Sequence, residues 1–377
     1  MDRVLVVGAG YGGVAACRAA ADRLGRDGEV VLLDRRDHHL VRHESHRAIA
    51  APDVANTLRI PGGRAAGRRA SFRQTAVTEI DLDERVVATR DSALPYDALV
   101  LAPGSVTAHY GVPGAETHGL PMEDLEDAAR IRRAAIDACD RDGRIVVCGG
   151  GPTGVQVAGE VAALAEDRGA DLDVRVVEAL DRVLPDESSA LRRRVTRLLR
   201  SRGVVVDAGA PVVEVREDAV VLDDGTAIDC DAAVWAAGVV PAPPPMVPGD
   251  AVGRDGVRVD PTLRVEGTER VFAVGDAATV DDADGRRAPA TAWAALDQGR
   301  VAGRNAVRAL RDDEPSEAFR LDPPGTLVSV GRDAVAEVGG RVVGGRTARA
   351  LKRGAAVRHV REVAGPLAGL RSAFKYL

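Results

Sequence analysis

One device occurs twice in this chain, and the duplication limits the possible folds more than any other feature. The apolar run Val4-Leu5-Val6-Val7 breaks into "GAGYGG", Gly8 to Gly13, and Ile145-Val146-Val147 breaks into "GGGPTG", Gly149 to Gly154. Each reads as strand, tight glycine turn and helix. Such a turn brings backbone N–H groups and a helix N-terminus against a phosphate. Each helix is followed by a second apolar strand closed by an acid. Val30-Val31-Leu32-Leu33 ends on Asp34, and Val174-Arg175-Val176-Val177 ends on Glu178. An acid at that place can bind a ribose hydroxyl.

The repeated pattern predicts an α/β fold with two Rossmann-like dinucleotide-binding units. The first offers Gly8, Gly10, Gly13 and Asp34 as cofactor-binding candidates; the second offers Gly149, Gly151, Gly154 and Glu178. A terminal Glu accepts from ribose hydroxyls and repels a 2′-phosphate, which favours NADH over NADPH. Arg182, close by in sequence, argues the other way.

At 377 residues the chain is long enough for two or three domains. Apolar content of 45% and charged content of 29% are those of a soluble globular protein. A net charge of -6 and 3% aromatics give no reason to expect a nucleic-acid partner. Of the 51 basic residues only Lys352 and Lys375 are lysine. Cys17, Cys139, Cys148 and Cys230 form no C-x-x-C pair and have no zinc-ligand spacing, so packed free thiols in a reducing, cytoplasmic setting are expected. No signal peptide is read at the N-terminus, and no apolar run approaches the ~18 residues of a spanning helix.

Between and beyond the two units lie further strand-to-turn segments. "YDALVLAPGS", Tyr96 to Ser105, precedes a helix expected over Glu123–Ala138. A hairpin is expected at Asp224-Gly225. "ERVFAVGDAA", Glu269 to Ala278, is a strand ending in Gly275-Asp276, followed by a helix over Ala292–Leu310 and a proline-rich linker over Glu314–Gly325.

Two dinucleotide sites in one chain suit two dinucleotides that exchange electrons, one held tightly and one passing through. The order GAGYGG, "YDALVLAPGS", GGGPTG, "WAAGV" and "VFAVGDAA" resembles the two-dinucleotide-binding flavoproteins. Within that group, "YGVPGAETHGLPMEDLEDAARIR" and "GPTGVQVAGE" resemble the type II NADH dehydrogenase family. The resemblance runs from about Arg3 to Ala306 and more loosely into the tail. It implies FAD in the first site and NADH in the second, with a hydride passing to flavin N5 and electrons going on to an acceptor, a membrane quinone.

By that resemblance Val77 offers backbone to the adenine, and Gly104, Gly275, Asp276 and Ala292 join the FAD site. Asp276 would organise the ribityl chain or a nearby phosphate. Glu160 matches a family acid near the nicotinamide; Trp293, which the family does not carry there, is read either as a cover for the flavin edge or an acceptor, or as a buried core side chain. Some positions depart from the family: Pro103 stands where Thr is frequent, Gln156 replaces a Glu, and Trp293 and Asp297 stand where quinone-reducing members carry glutamines. These departures leave open an alternative, a soluble NAD(P)H-dependent reductase of a protein or small-molecule electron acceptor.

"HHLVRHESHR", His38 to Arg47, is rich in histidine, but no second cluster completes a metal site. The family places this segment beside the isoalloxazine ring, which makes Arg42, His43 and Glu44 candidates for tuning it. From Arg341 to Leu377 the chain carries nine basic residues and one acid, a net +8, against -14 for the preceding 340 residues. Val363, Leu367, Leu370, Phe374 and Leu377 fall on one helical face. A basic amphipathic helix of this kind can lie on an anionic membrane; the same stripe could dock on the protein's own core or across a homodimer. The expected organisation is an FAD-binding domain in two parts, 1–112 and 243–320, an inserted NAD(H)-binding domain, 113–242, and a C-terminal basic region, 321–377. The expected location is cytoplasmic, peripheral on the inner face of the plasma membrane.

Overall fold

The computed structural model describes residues 2–247, 252–253, 255–311, 314 and 317–365. The chain opens with β1 (Asp2–Val7), α1 (Tyr11–Leu24) and β2 (Gly28–Asp34). A short α2 (Gly62–Ala66), β3 (Ser71–Gln74), β4 (Ala98–Leu101) and β5 (Ser105–Thr107) follow. The second unit comprises β6 (Gly119–Pro121), α3 (Leu125–Cys139), β7 (Arg144–Cys148), α4 (Pro152–Arg168), β8 (Asp173–Glu178), α5 (Ser189–Ser201), β9 (Val205–Ala208) and β10 (Ala232–Trp235). Then come β11 (Val239–Pro241), β12 (Val271–Ala273) and α6 (Ala292–Leu310). The last described elements are β13 (Thr326–Val330), β14 (Asp333–Val338), β15 (Arg341–Gly344) and α7 (Gly345–Ala364).

Two five-stranded parallel sheets form the frame. The first has the order β12-β4-β1-β2-β3 and the second β6-β10-β7-β8-β9. The first sheet takes β12 from chain that follows the whole second sheet. Departing and returning chain lie side by side as an antiparallel ribbon, β5 with β11, in which Ser105 faces Pro241 and Thr107 faces Val239. Strands such as β4, with all four residues buried, are apolar throughout because helices or sheets cover both faces.

Glycine decides how closely α1 and α6 approach. A Cβ on Gly299 would lie 2.1 Å from the Gly12 carbonyl oxygen, and one on Gly303 2.3 Å from that of Ala16. The two helices therefore meet backbone to backbone beneath the first glycine turn. At the start of α3, Asp124 and Asp127 form a reciprocal capping box, which holds the helix entry that the sequence placed two residues earlier.

The C-terminal part differs from its expectation. It is a three-stranded antiparallel meander, β13-β14-β15, with α7 against it. The turn after β13 presses on α4: a Cβ on Gly159 would come within 2.5 Å of the Gly331 nitrogen. Helix α7 ends at Gly365, which takes φ 87°, a left-handed value that stops the helix. Val363 is buried on the protein itself. Of the expected stripe only Val363 falls among the described residues; Leu367, Leu370, Phe374 and Leu377 lie outside them.

Candidate active site: two glycine cradles and a buried polar junction

In both units the three motif glycines divide into the same roles. Gly8 has φ 100° and Gly149 has φ 111°. A Cβ there would come within 2.1 Å of the Ala102 carbonyl oxygen and 2.4 Å of the Ala236 carbonyl oxygen, respectively. At Gly13 and Gly154 a Cβ would come within 1.7 Å of the Gly8 oxygen and 1.9 Å of the Gly149 oxygen. These four positions are required by the chain's own packing. Gly10 and Gly151 are different: each is a helix N-cap, and a Cβ there would meet nothing within 4 Å. Neither helix has a side-chain cap, so first-turn N–H groups remain available to an anion in front of them.

The acids are equally matched. Asp34 accepts the Ala9 N–H at 2.6 Å and the Arg36 N–H at 2.7 Å. Glu178 accepts the Gly150 N–H at 2.5 Å and the Leu180 N–H at 2.8 Å. Each carboxylate thus fastens its glycine turn to the loop after its strand. Each oxygen keeps a lone pair for a ribose hydroxyl.

Several residues from distant segments meet at the first cradle. Gly104 has φ 81° and faces open space. Ser105 donates its hydroxyl to Asp276 at 2.8 Å, and the Gly275 N–H donates to Gln298 Oε1 at 2.7 Å. Ala292 opens α6, whose Thr291 cap accepts the Ala294 N–H. Trp293 is half-buried in that first turn rather than sealed in the core. Asp297 pairs with Arg300 on its own helix. Val77 begins a strand, Val77–Asp81, at the edge of this unit.

Between the cradles and the C-terminal sheet lies a buried polar junction that the sequence did not disclose. The segment Arg42–Ala48 is a 3-10 helix that carries Glu44 and His46 inward. Lys352 of α7 donates to Gln156 Oε1 at 2.5 Å and to Ser329 Oγ at 2.7 Å, and its Nζ is 3.7 Å from Glu44 Oε1. His46 Nε2 is 2.9 Å from the same Ser329 hydroxyl. Burial lowers the Lys352 pKa, and Glu44 and Glu160 oppose that shift. Glu160, also buried, has its pKa raised to about 7 by desolvation, with Arg47 and Lys352 pulling the other way. The face of α4 bearing positions 156 and 160 is therefore turned to this junction. A sequence signal existed: Lys352 is one of two lysines among 51 basic residues. A buried ammonium can release its proton where a guanidinium cannot.

Histidine rings tie α7 to the first glycine turn. His39 Nδ1 is 2.7 Å from the Ala9 carbonyl oxygen and His39 Nε2 is 2.9 Å from His359 Nε2. A carbonyl only accepts, so Nδ1 of His39 carries the proton and His359 donates from Nε2. Burial pulls the His39 pKa down to about 4 and lowers that of His359, which keeps both rings neutral. Tyr11 of the glycine turn meets His43 Nδ1 at 2.5 Å. His39, His43 and His46 thus serve as hydrogen-bonding groups between elements, while His38 pairs with its neighbour Asp37. All four cysteines are free and buried; burial pushes the Cys17 thiol to about 12 and the Cys230 thiol to about 11.

The comparisons with known proteins agree with this architecture. The type II NADH:quinone oxidoreductase of Staphylococcus aureus is 28% identical, with 96% of each chain covered. The structure of NDH2 from Plasmodium falciparum in complex with NADH superposes with a TM-score of 0.86 at 13% identity, covering 99% of this chain and 98% of that one. The sulfide:quinone oxidoreductase of Aquifex aeolicus gives 0.82 at 18% identity, covering 97% and 92%. The model for pyridine nucleotide-disulphide oxidoreductases matches residues 2–299, a span that takes in both cradles, the ribbon between the sheets and the first turn of α6. With two cradles of one design in a single matched span, this chain belongs to the pyridine nucleotide-disulphide oxidoreductase family.

Proposed function

We propose that this chain is an FAD-dependent NADH dehydrogenase that delivers electrons to a quinone. The observation that carries the reading is the twin cradle: two turns of the same construction, each open at its middle glycine and each fastened by a carboxylate. Both cradles fit a dinucleotide. Gly10 and Gly151 leave space where a diphosphate would approach, and uncapped helix N-termini face it. Gly8, Gly10, Gly13, Asp34, Val77, Gly104, Gly275, Asp276 and Ala292 would hold FAD, and Gly149, Gly151, Gly154 and Glu178 would hold NADH. Bound FAD would supply the two-electron relay between nicotinamide and quinone.

The chain's own contribution is orientation and proton supply. Reducing a quinone to a quinol takes two electrons and two protons. The hydride from NADH accounts for both electrons and one hydrogen, so one further proton is drawn from the medium. Lys352, Glu44 and Glu160 form a buried store that can hold it, and Gln156 and Ser329 fix the Lys352 ammonium. Glu160 also remains our candidate for positioning the nicotinamide, and Trp293 for covering the acceptor side. The division at 1–112, 113–242, 243–320 and 321–377 is proposed as the domain map, since the first sheet draws β12 from after the second. Among the described residues no helix is long and apolar enough to cross a membrane. Contact with an anionic membrane surface through Arg341–Leu377 is therefore proposed as peripheral.

The test is a spectrum and a titration. Purified protein reconstituted with FAD should be yellow, bleach anaerobically with NADH, and recover its colour on adding a short-chain quinone. A colourless protein that refuses FAD, or a bound flavin that NADH leaves oxidised, defeats the reading.

A further inference from the structure

Helix α5 has an unusual charge distribution. It carries Arg192, Arg193, Arg194, Arg197 and Arg200, no acid, and Arg202 at its C-cap. Leu191, Val195 and Leu199 form its buried side. Arg193, Arg194, Arg197 and Arg200 are exposed and make no ion pair with the described residues. This helix belongs to a stretch, residues 1–340, whose net charge is -14, so its one-signed face is a local exception.

That face continues onto the C-terminal region. Arg194 lies against Gly344, the N-cap of α7: its Nε is 2.5 Å from where a Cβ on Gly344 would stand. Arg341 and Arg346, both exposed, flank Gly344 in sequence, and Arg353, also exposed, lies further along α7. At the other end of α5, Asp333 accepts from Arg202 at 2.9 Å and lies 3.7 Å from Arg349. Glu166 also pairs with Arg202 there, at 3.0 Å, so that junction is neutralised and the uncompensated charge is that of the exposed Arg193, Arg194, Arg197 and Arg200. Crowding like charges costs free energy in the isolated protein, and an approaching anion returns it.

We propose that α5 and the N-terminal half of α7 form one cationic platform that docks on an anionic lipid bilayer. This inference rests on the peripheral-membrane reading and extends it from the tail to the second nucleotide-binding unit. The aliphatic side chains Val338, 44% exposed, and Leu351, 42% exposed, belong to the same C-terminal elements. Val338 pairs with Arg341 across β14 and β15. Guanidiniums interspersed with single aliphatic side chains suit a headgroup layer, where the charges meet lipid phosphates and the aliphatic groups enter shallowly. The acidic remainder of the chain is repelled by the same surface. The platform thereby fixes which side of the molecule faces the membrane, and it grips the nucleotide unit and the C-terminal sheet together.

The experiment is flotation of the FAD-loaded protein with vesicles of phosphatidylcholine, alone or with about 30% phosphatidylglycerol, at about 0.1 M salt. Three proteins are compared: wild type, R193E/R197E/R200E, and R346E/R353E. Wild type should float with the anionic vesicles only. Each variant should partition at least about tenfold more weakly, while NADH oxidation with a soluble acceptor stays within about twofold, the readout that cofactors and fold are intact. If R193E/R197E/R200E floats like wild type while R346E/R353E does not, the platform fails and the peripheral reading stands. If wild type itself ignores anionic vesicles, both fail.

Discussion

Glu178 holds the N–H of Gly150 at 2.5 Å, and so the acid that closes one strand also sets the shape of the phosphate turn beside it. Its other oxygen is committed to Leu180. In Glu178→Gln the amide NH2 must confront one of these two N–H donors. The turn should loosen and the ribose should lose its anionic partner. The expected result is a KM for NADH raised about tenfold, with discrimination against NADPH reduced, since the charge that repels a 2′-phosphate is gone. Steady-state kinetics with both nucleotides checks this; an unchanged KM ratio contradicts it.

Gly8 and Gly10 are expected to fail differently. Gly8→Ala places a Cβ at φ 100° and within 2.1 Å of the Ala102 oxygen, so the fold itself should suffer by ~2 kcal/mol or more. A methyl at Gly10 meets no protein atom within 4 Å. Gly10→Ala should melt like wild type without cofactor and yet bind FAD at least about tenfold more weakly. Thermal melts with and without FAD separate the two.

Lys352 is buried among Gln156, Ser329 and Glu44. Lys352→Met should leave bleaching by NADH intact and cut quinone turnover by about tenfold or more. Lys352→Arg should not restore it, because a guanidinium holds its proton at any working pH. Rapid-reaction kinetics, with the half-reactions measured separately, is the check. Full quinone turnover in Lys352→Arg would remove Lys352 from proton supply.

The raised pKa of Glu160, about 7, gives a signed stability effect. The folded state keeps the Glu160 proton over the interval in which the unfolded chain has lost it. Stability should therefore fall as pH rises from the ordinary carboxyl range to about 7, and level off above. The full effect is on the order of 3 kcal/mol. Glu160→Gln should flatten this part of the curve and be the more stable protein above neutrality. Denaturant melts across the pH range test it; equal slopes in the two proteins would overturn it.

Arg18 fastens the end of α7 to the first unit. Its guanidinium donates to the carbonyls of Glu362 and Val363 on α7 and of Arg64 and Ala65 on α2. One cation thus caps two helix C-termini. Arg18→Met should cost ~1–3 kcal/mol and speed hydrogen exchange in the last turn of α7 while sparing its first turn. Exchange measured by mass spectrometry is the readout, and uniform protection along α7 would refute the capping role.

The glycine turns, the acids after them and the helix at Ala292–Leu310 were legible in the sequence because local rules dictate them. A left-handed turn needs glycine, an anion site needs free N–H groups, and a buried parallel strand needs an unbroken apolar run. The metal-free reading of the histidine segment rested on spacing alone, and its real partners were invisible. His39 meets His359 across 320 positions, and Lys352 meets Gln156 across 196. No periodicity encodes such pairs; they exist because α7 is seated on the meander and capped by Arg18. The two dinucleotide cradles could be read from the order of the residues alone. That Lys352, Glu44, Glu160 and three histidines, His39, His46 and His359, are stripped of water beside them was settled by the assembled fold, because burial and long-range contact, unlike local turn geometry, are properties of the whole packing.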